Sequence, residues 1–250
     1  MNRIKKALLF TLALLPVAAV GGYFTALYQL RTLDPATTEI MVEQLGSVQM
    51  VTLVTAAQTV MYAVVCGFFG YLMADKTGLL KPLRIEKKPL LITLLASIAG
   101  GVLFSLDYWT FGAVMPELRQ GMEANLSAES WLASVLYGGV IEEIMLRLFV
   151  MSLLSLILWK AFARKSEKAP SGVIIAANVT AALLFAAGHL PATVALFGGL
   201  TPLLLARCFL LNGGFGLLFG ELYRRYGIQY AIISHALLHI VSKTIWLIFI

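Results

Sequence analysis

Glu142 and Glu143 stand side by side, with Arg147 four residues on, inside an apolar run from Trp131 to Leu158. Charges at membrane depth are costly, so they face a protein interior or a water-filled cavity and carry function. On a helix Glu143 and Arg147 share a face with the acid first, the better order for pairing. Glu142 points roughly a quarter-turn away. Its neighbours one turn back and one turn on, Gly138 and Leu146, are uncharged. Glu142 is therefore the carboxylate left free to react, and a carboxylate in a low-dielectric cavity beside a second one suits general-base chemistry.

All three histidines of the chain, His189, His235 and His239, also fall within apolar runs. His235 and His239 lie four apart on one helix face, the spacing by which two imidazoles grip one zinc ion in soluble metalloproteases. No Glu follows His235, so that soluble motif itself is absent. His189 supplies a third nitrogen, and Glu142 or Glu143 a fourth ligand or a base. Plainer readings stand beside these: a Glu–Arg pair that locks helix packing, and two histidines that hydrogen-bond for structure. Cys66 and Cys208 read as small apolar packing residues, and no metal-type cysteine spacing exists.

The elements that must position these groups are membrane spans. The chain is 60% hydrophobic and only 13% charged, with mean hydropathy +0.86. No stretch is polar enough to build a soluble domain. The expectation is an all-α polytopic bundle of about seven spans, forming one integral membrane domain over 1–250. The spans read as Ala7 to about Leu30, Val48 to Met73, Leu90 to Met115, Trp131 to Leu158, Ser171 to His189, Pro202 to Tyr223, and Ile228 onward. The first is read as an uncleaved signal anchor, because its apolar run is too long for an ordinary signal core. Pro191 is expected to end or kink the fifth span just past His189. Residues 192–201 are apolar and uncharged, and are expected to re-enter the membrane.

Charge sets the orientation. Fourteen Lys/Arg residues lie at the N-terminus and after spans 2, 4 and 6, whereas the opposite loops hold only Arg31 and Arg119. Lysine and arginine favour the cytoplasm, which puts the N-terminus inside. The net charge of +6 therefore reads as topology signal and lipid-headgroup contact, not as nucleic-acid binding.

Taken together the motifs resemble a known family. Glu142-Glu143-x-x-x-Arg147, Phe185-x-x-x-His189 and His235-x-x-x-His239, in that order and on separate spans, are similar to the three motifs of the CPBP (CAAX protease and bacteriocin-processing, Abi) intramembrane endopeptidases. The stretch from Asn212-Gly213-Gly214 to Tyr226-Gly227 resembles the family as well, and the similarity covers about residues 130–240, the expected catalytic core. The resemblance implies that Glu142 activates water with His189 as partner. It implies that Glu143 and Arg147 hold the site together, and that His235 and His239 stabilise an oxyanion. Family members usually carry Asn or Asp where this chain has His239. A neutral imidazole still donates a hydrogen bond, and it adds a potential metal ligand.

The reading is therefore hydrolysis of a membrane-associated, prenylated or precursor peptide in a lipid bilayer, in a prokaryotic inner membrane. A metal-free glutamate mechanism is favoured, with no cofactor. Zinc held by His189, His235, His239 and Glu142 is the alternative. A small transporter or proton relay, or a non-catalytic scaffold, would use the same groups differently. Asp107 and Arg207 are expected to pair or face water away from the motif, and Lys243 to snorkel or face a cavity. Asn212 is read as an interhelical hydrogen bonder ahead of a substrate contact.

Overall fold

The computed structural model describes residues 2–124 and 126–250. Among these the chain is helical throughout, with no strand. Six helices are long and apolar enough to cross a membrane. The long ones are α1 (Arg3–Thr32), α3 (Val48–Thr77), α4 (Lys87–Ser105), α7 (Ser171–Gly188), α9 (Pro202–Tyr226) and α10 (Ile228–Phe249). A further helical run, α6 (128–162), carries the paired glutamates. The shorter α2 (Pro35–Leu45), α5 (Pro116–Ala124) and α8 (Leu190–Phe197) lie between them. With α6 the bundle has the seven spans expected.

Helix ends follow local chemistry. Ser47 and Ser127 accept from the backbone N–H of Met50 and Ser130, both at 3.2 Å, satisfying donors that the first turn leaves open. Gly46, Gly78 and Gly198 end α2, α3 and α8 with positive φ, a backbone region that costs glycine nothing. Two stretches gain detail. The third span breaks into a 3-10 turn over Leu106–Tyr108 and resumes as a short helix over Phe111–Val114, so that it reaches from Lys87 to Val114, close to the end expected at Met115. Residues 190–197 form the helix α8 directly after α7.

The outward faces are apolar. Leu12, Leu53, Leu95, Leu103 and Leu210 are each more than half exposed, a surface that only lipid accepts without penalty. Inward, the helices meet through small residues. The pair α1 and α3 packs closely, and α4 packs on α10. Gly139 of α6 lies so near α10 that a Cβ there would sit 2.7 Å from Ala236 Cα. Gly216 and Gly220 are packing residues of this kind. A Cβ on Gly216 would meet Ala182 at 3.2 Å, and one on Gly220 would overlap the Asn178 carboxamide.

Gly139→Ala is expected to push α6 off α10 and cost about 1–3 kcal/mol of stability, the usual range for overpacking. The check is the apparent unfolding temperature of the detergent-purified protein. An unchanged temperature would mean that the two backbones are not in contact.

Candidate active site

The middle of α6 is not an ordinary α-helix. Residues Ser134–Glu142 and Ile144–Met151 are π-helical on either side of Glu143. Such turns are rare and recur at functional sites. The sequence gives only an indirect sign of this, the Gly138-Gly139 pair at the start of the motif.

The two glutamates have different surroundings. Glu143 is fully buried. Its Oε1 lies 3.1 Å from Arg147 Nη1 and accepts a hydrogen bond from His235 Nδ1 at 2.8 Å. Arg147, also buried, donates from Nη2 to the Gly216 carbonyl at 3.0 Å. Its guanidinium lies over the rings of Phe185 at 4.7 Å and Phe219 at 5.4 Å. The expected Glu143–Arg147 pair is therefore formed, and it joins α6 to α9 and α10.

Glu142 faces a cavity of about 840 Å³. Its carboxylate lies 4.0 Å from His189 Nε2. His189 stands at the C-terminal end of α7, with its Nδ1 2.8 Å from the Phe185 carbonyl. A carbonyl only accepts, so Nδ1 carries the proton and Nε2 presents a lone pair toward Glu142. The 4.0 Å separation is too long for a direct hydrogen bond and suits one bridging water.

His235 and His239 close another side of the cavity, with their Nε2 atoms 3.1 Å apart. Since His235 Nδ1–H donates to the Glu143 carboxylate, neutral His235 accepts at Nε2 and His239 donates there. His239 Nδ1 is then a buried atom without a hydrogen-bond partner. Phe219 stacks on His235 at 4.4 Å with a 19° tilt, and Phe104 meets His239 edge-on at 5.9 Å.

All six residues singled out in the sequence thus surround one cavity or buttress it: Glu142, His189, His235 and His239 line it, and Glu143 and Arg147 lie behind His235. The sequence did not single out Phe104, Phe215 or Phe219, because aromatic residues on spans are indistinguishable from ordinary packing.

Three other expectations need revision or detail. Arg207 and Asp107 do pair, with Arg207 Nε 2.9 and 3.1 Å from the two carboxylate oxygens. Arg207 nevertheless lines the same cavity instead of lying away from it. Asn212 makes no interhelical hydrogen bond among the described residues. It contacts Cys208 Sγ one turn back at 3.5 Å and faces the cavity. Lys243 donates to Ser130 Oγ at 2.7 Å, near the start of α6.

Among the described residues no three His, Cys, Asp or Glu side chains are grouped to hold a metal ion. His235 has one nitrogen on Glu143 and the other on His239.

Residues 124–241 match the family model of the type II CAAX prenyl endopeptidase Rce1-like proteins. That segment contains all six site residues and spans just under half of the chain, and the likeness supports intramembrane proteolysis of the CAAX type. Comparisons with curated proteins and with solved structures found no match. Its six helices of spanning length and apolarity make the chain an integral membrane protein.

Arg147→Ala is expected to destabilise the protein by about 3–5 kcal/mol, because it leaves the Glu143 charge buried and uncompensated. Replacing both partners as Glu143→Gln with Arg147→Met is expected to recover most of that loss in thermal unfolding. No recovery would mean that packing of the guanidinium on its two phenylalanines, and not charge pairing, is what matters.

Proposed function

We propose that this chain is a peptidase in which Glu142 activates water for attack on a peptide bond held in the cavity, without a metal. Residues 130–240 form its catalytic core within the single membrane domain 1–250. The observation that carries the reading is the pairing of Glu142 with His189 Nε2 across 4.0 Å. A water between them donates one O–H to the carboxylate and the other to the imidazole lone pair. Its own lone pair is then free to attack the carbonyl carbon, and Glu142 takes the proton as the bond forms.

The carbonyl oxygen becomes an oxyanion in that step. His239 Nε2–H, released from His235, is the donor that meets it. A preorganised donor at this position is commonly the largest electrostatic contribution to acyl-transfer catalysis. Proton return from Glu142 to the departing amine completes hydrolysis, so the general base becomes the general acid. Glu143 and Arg147 take no part in the bond changes. They hold His235, and through it His239.

The family-model match over residues 124–241 supports hydrolysis over the relay and scaffold readings, which use the same charged groups. The substrate is a membrane-associated peptide or protein, since the cavity lies within the bundle.

Glu142→Gln is expected to abolish cleavage of quenched fluorescent peptides by the purified protein while leaving its unfolding temperature close to wild type. His189→Ala is expected to reduce kcat by about 10²–10⁴, the contribution typical of one acid–base group. Both enzymes would be assayed with and without a chelator. Loss of wild-type activity with the chelator, restored by added zinc, would overturn the metal-free mechanism.

His239→Asn is expected to retain most of the activity, because a carboxamide N–H can replace the imidazole donor. His239→Leu is expected to lose about 10²–10³ in kcat. Equal activity in the two variants would remove His239 from the oxyanion site.

A further inference from the structure

The site has a direction across the membrane. Contacts between helix ends sort the loops onto two faces. On one face Arg3 pairs with Asp75 at 3.1 Å, the Glu86 backbone N–H donates to Tyr230 Oη at 2.7 Å, and Gln229 Nε2 donates to the Pro82 carbonyl at 3.0 Å. On the other, Arg31 pairs with Glu129 at 3.1 Å, Lys243 reaches Ser130, and Trp246 Nε1 donates to the Ser105 carbonyl at 2.9 Å. The first face carries the fourteen Lys/Arg residues of the loops. The second carries Arg31 and Arg119 against Asp34, Glu39, Glu43, Glu117, Glu123 and Glu129. Basic loops stay in the cytoplasm, so the acidic face is extracytoplasmic.

The cavity opens toward that acidic face. Its wall descends from Leu33, Ser134, Leu196 and Arg207 to Glu142 and His239. The first four residues all lie in the part of their helix nearest the acidic loops. Toward the basic face the site is closed. Leu148, Met151, Tyr223 and Ile228 are buried below it. Tyr223 Oη and Ser152 Oγ hydrogen-bond at 2.9 Å within that floor.

We infer that substrate enters from the extracytoplasmic side. It is a segment of exported or membrane-inserted polypeptide whose scissile bond lies in the outer half of the bilayer. The apolar wall accepts an extended apolar stretch, and the acidic loops around the mouth favour basic residues flanking it. A prenylated C-terminus on the cytoplasmic face does not reach this mouth. The nature of the substrate rests on the peptidase reading, whereas the side of entry rests on topology alone.

The test is labelling by a membrane-impermeant maleimide in intact cells expressing the full chain, before and after permeabilisation. Leu196→Cys places a thiol at the mouth, Glu43→Cys on the acidic face, and Lys88→Cys in the basic loop; all three native residues are exposed. The unsubstituted chain, whose Cys66 and Cys208 are buried, gives the background.

Leu196→Cys and Glu43→Cys are expected to label in intact cells, and Lys88→Cys only after permeabilisation. The reverse order, equal labelling of all three in intact cells, or labelling of neither mouth-side thiol in intact cells would overturn the inference. Labelling requires no cleavage, so it stands or falls separately from the peptidase reading. In the cleavage assay, apolar peptides with lysine flanks are expected to be preferred over those with glutamate flanks, and the opposite preference would overturn the substrate class.

Discussion

A carboxylate with no exposure to water must be neutralised where it stands, and Glu143 is neutralised from two sides. Arg147 pairs with it from its own helix, and His235 donates to it from α10. Arg147 then reaches the Gly216 carbonyl on α9. Three spans are thereby tied at one depth by groups that have no alternative partners in an apolar interior. A buried pair of this kind is not a large source of net stability. Its value here is positional: only one arrangement of the helices satisfies the charge. Because Glu143 accepts from Nδ1, it fixes both the orientation and the tautomer of His235. His235 in turn determines which nitrogen of His239 holds a proton.

The adjacent glutamate is free because its neighbour is not. Two carboxylates at consecutive positions of a helix cannot both face the same arginine. Arg147 sides with Glu143, and Glu142 is turned to the cavity, where His189 stands across from it. The π-helical turns on both sides of Glu143 widen the backbone at this point. Gly138 and Gly139 serve this arrangement from one face of α6. Gly139 lets α10 approach to backbone contact, which brings His235 and His239 within reach. Gly138 leaves bare backbone between the carboxylate and the imidazole.

Much of this was legible in the sequence because charge in an apolar span is expensive and therefore rare. Glu142, Glu143, Arg147 and the histidines stood out for that reason, and four-residue spacing correctly anticipated the Glu143–Arg147 and His235–His239 contacts. Depth was less legible. Counted from Trp131, Glu142 falls near the membrane centre, whereas His189, about eighteen residues into its own span, counts to a level nearer the outer side. The helix in fact extends from 128 to 162, so Glu142 lies in its first half, on the same side as His189. The π-helical turns were not readable, since no spacing or propensity rule separates them from ordinary α-helix along an apolar run. Arg207 was misplaced for a similar reason. Its partner Asp107 was identifiable from charge alone, but the wall they form depends on the 3-10 turn that places Asp107 within the third span.

In the proposed mechanism His239, which stands where the resembled family usually has Asn or Asp, changes the chemistry without removing it. An Asn at this position would present a fixed amide donor. The imidazole instead spends its Nε2–H on His235 while the site is empty of oxyanion, and its Nδ1 is left buried without a partner. A Cβ at Gly138 would lie 3.3 Å from His239 Nε2 and 3.9 Å from Glu142 Oε2, so base and donor face each other across the same small space. When a tetrahedral carbon forms there, the Nε2–H must leave a neutral nitrogen for a charged oxygen. Hydrogen bonds to charged acceptors are the stronger kind. In the mechanism we propose, this exchange favours the transition state over the resting site, which is what a catalytic interaction must do. The cost is a donor less rigidly aimed than an amide, held in place only through His235 and the buried Glu143 behind it.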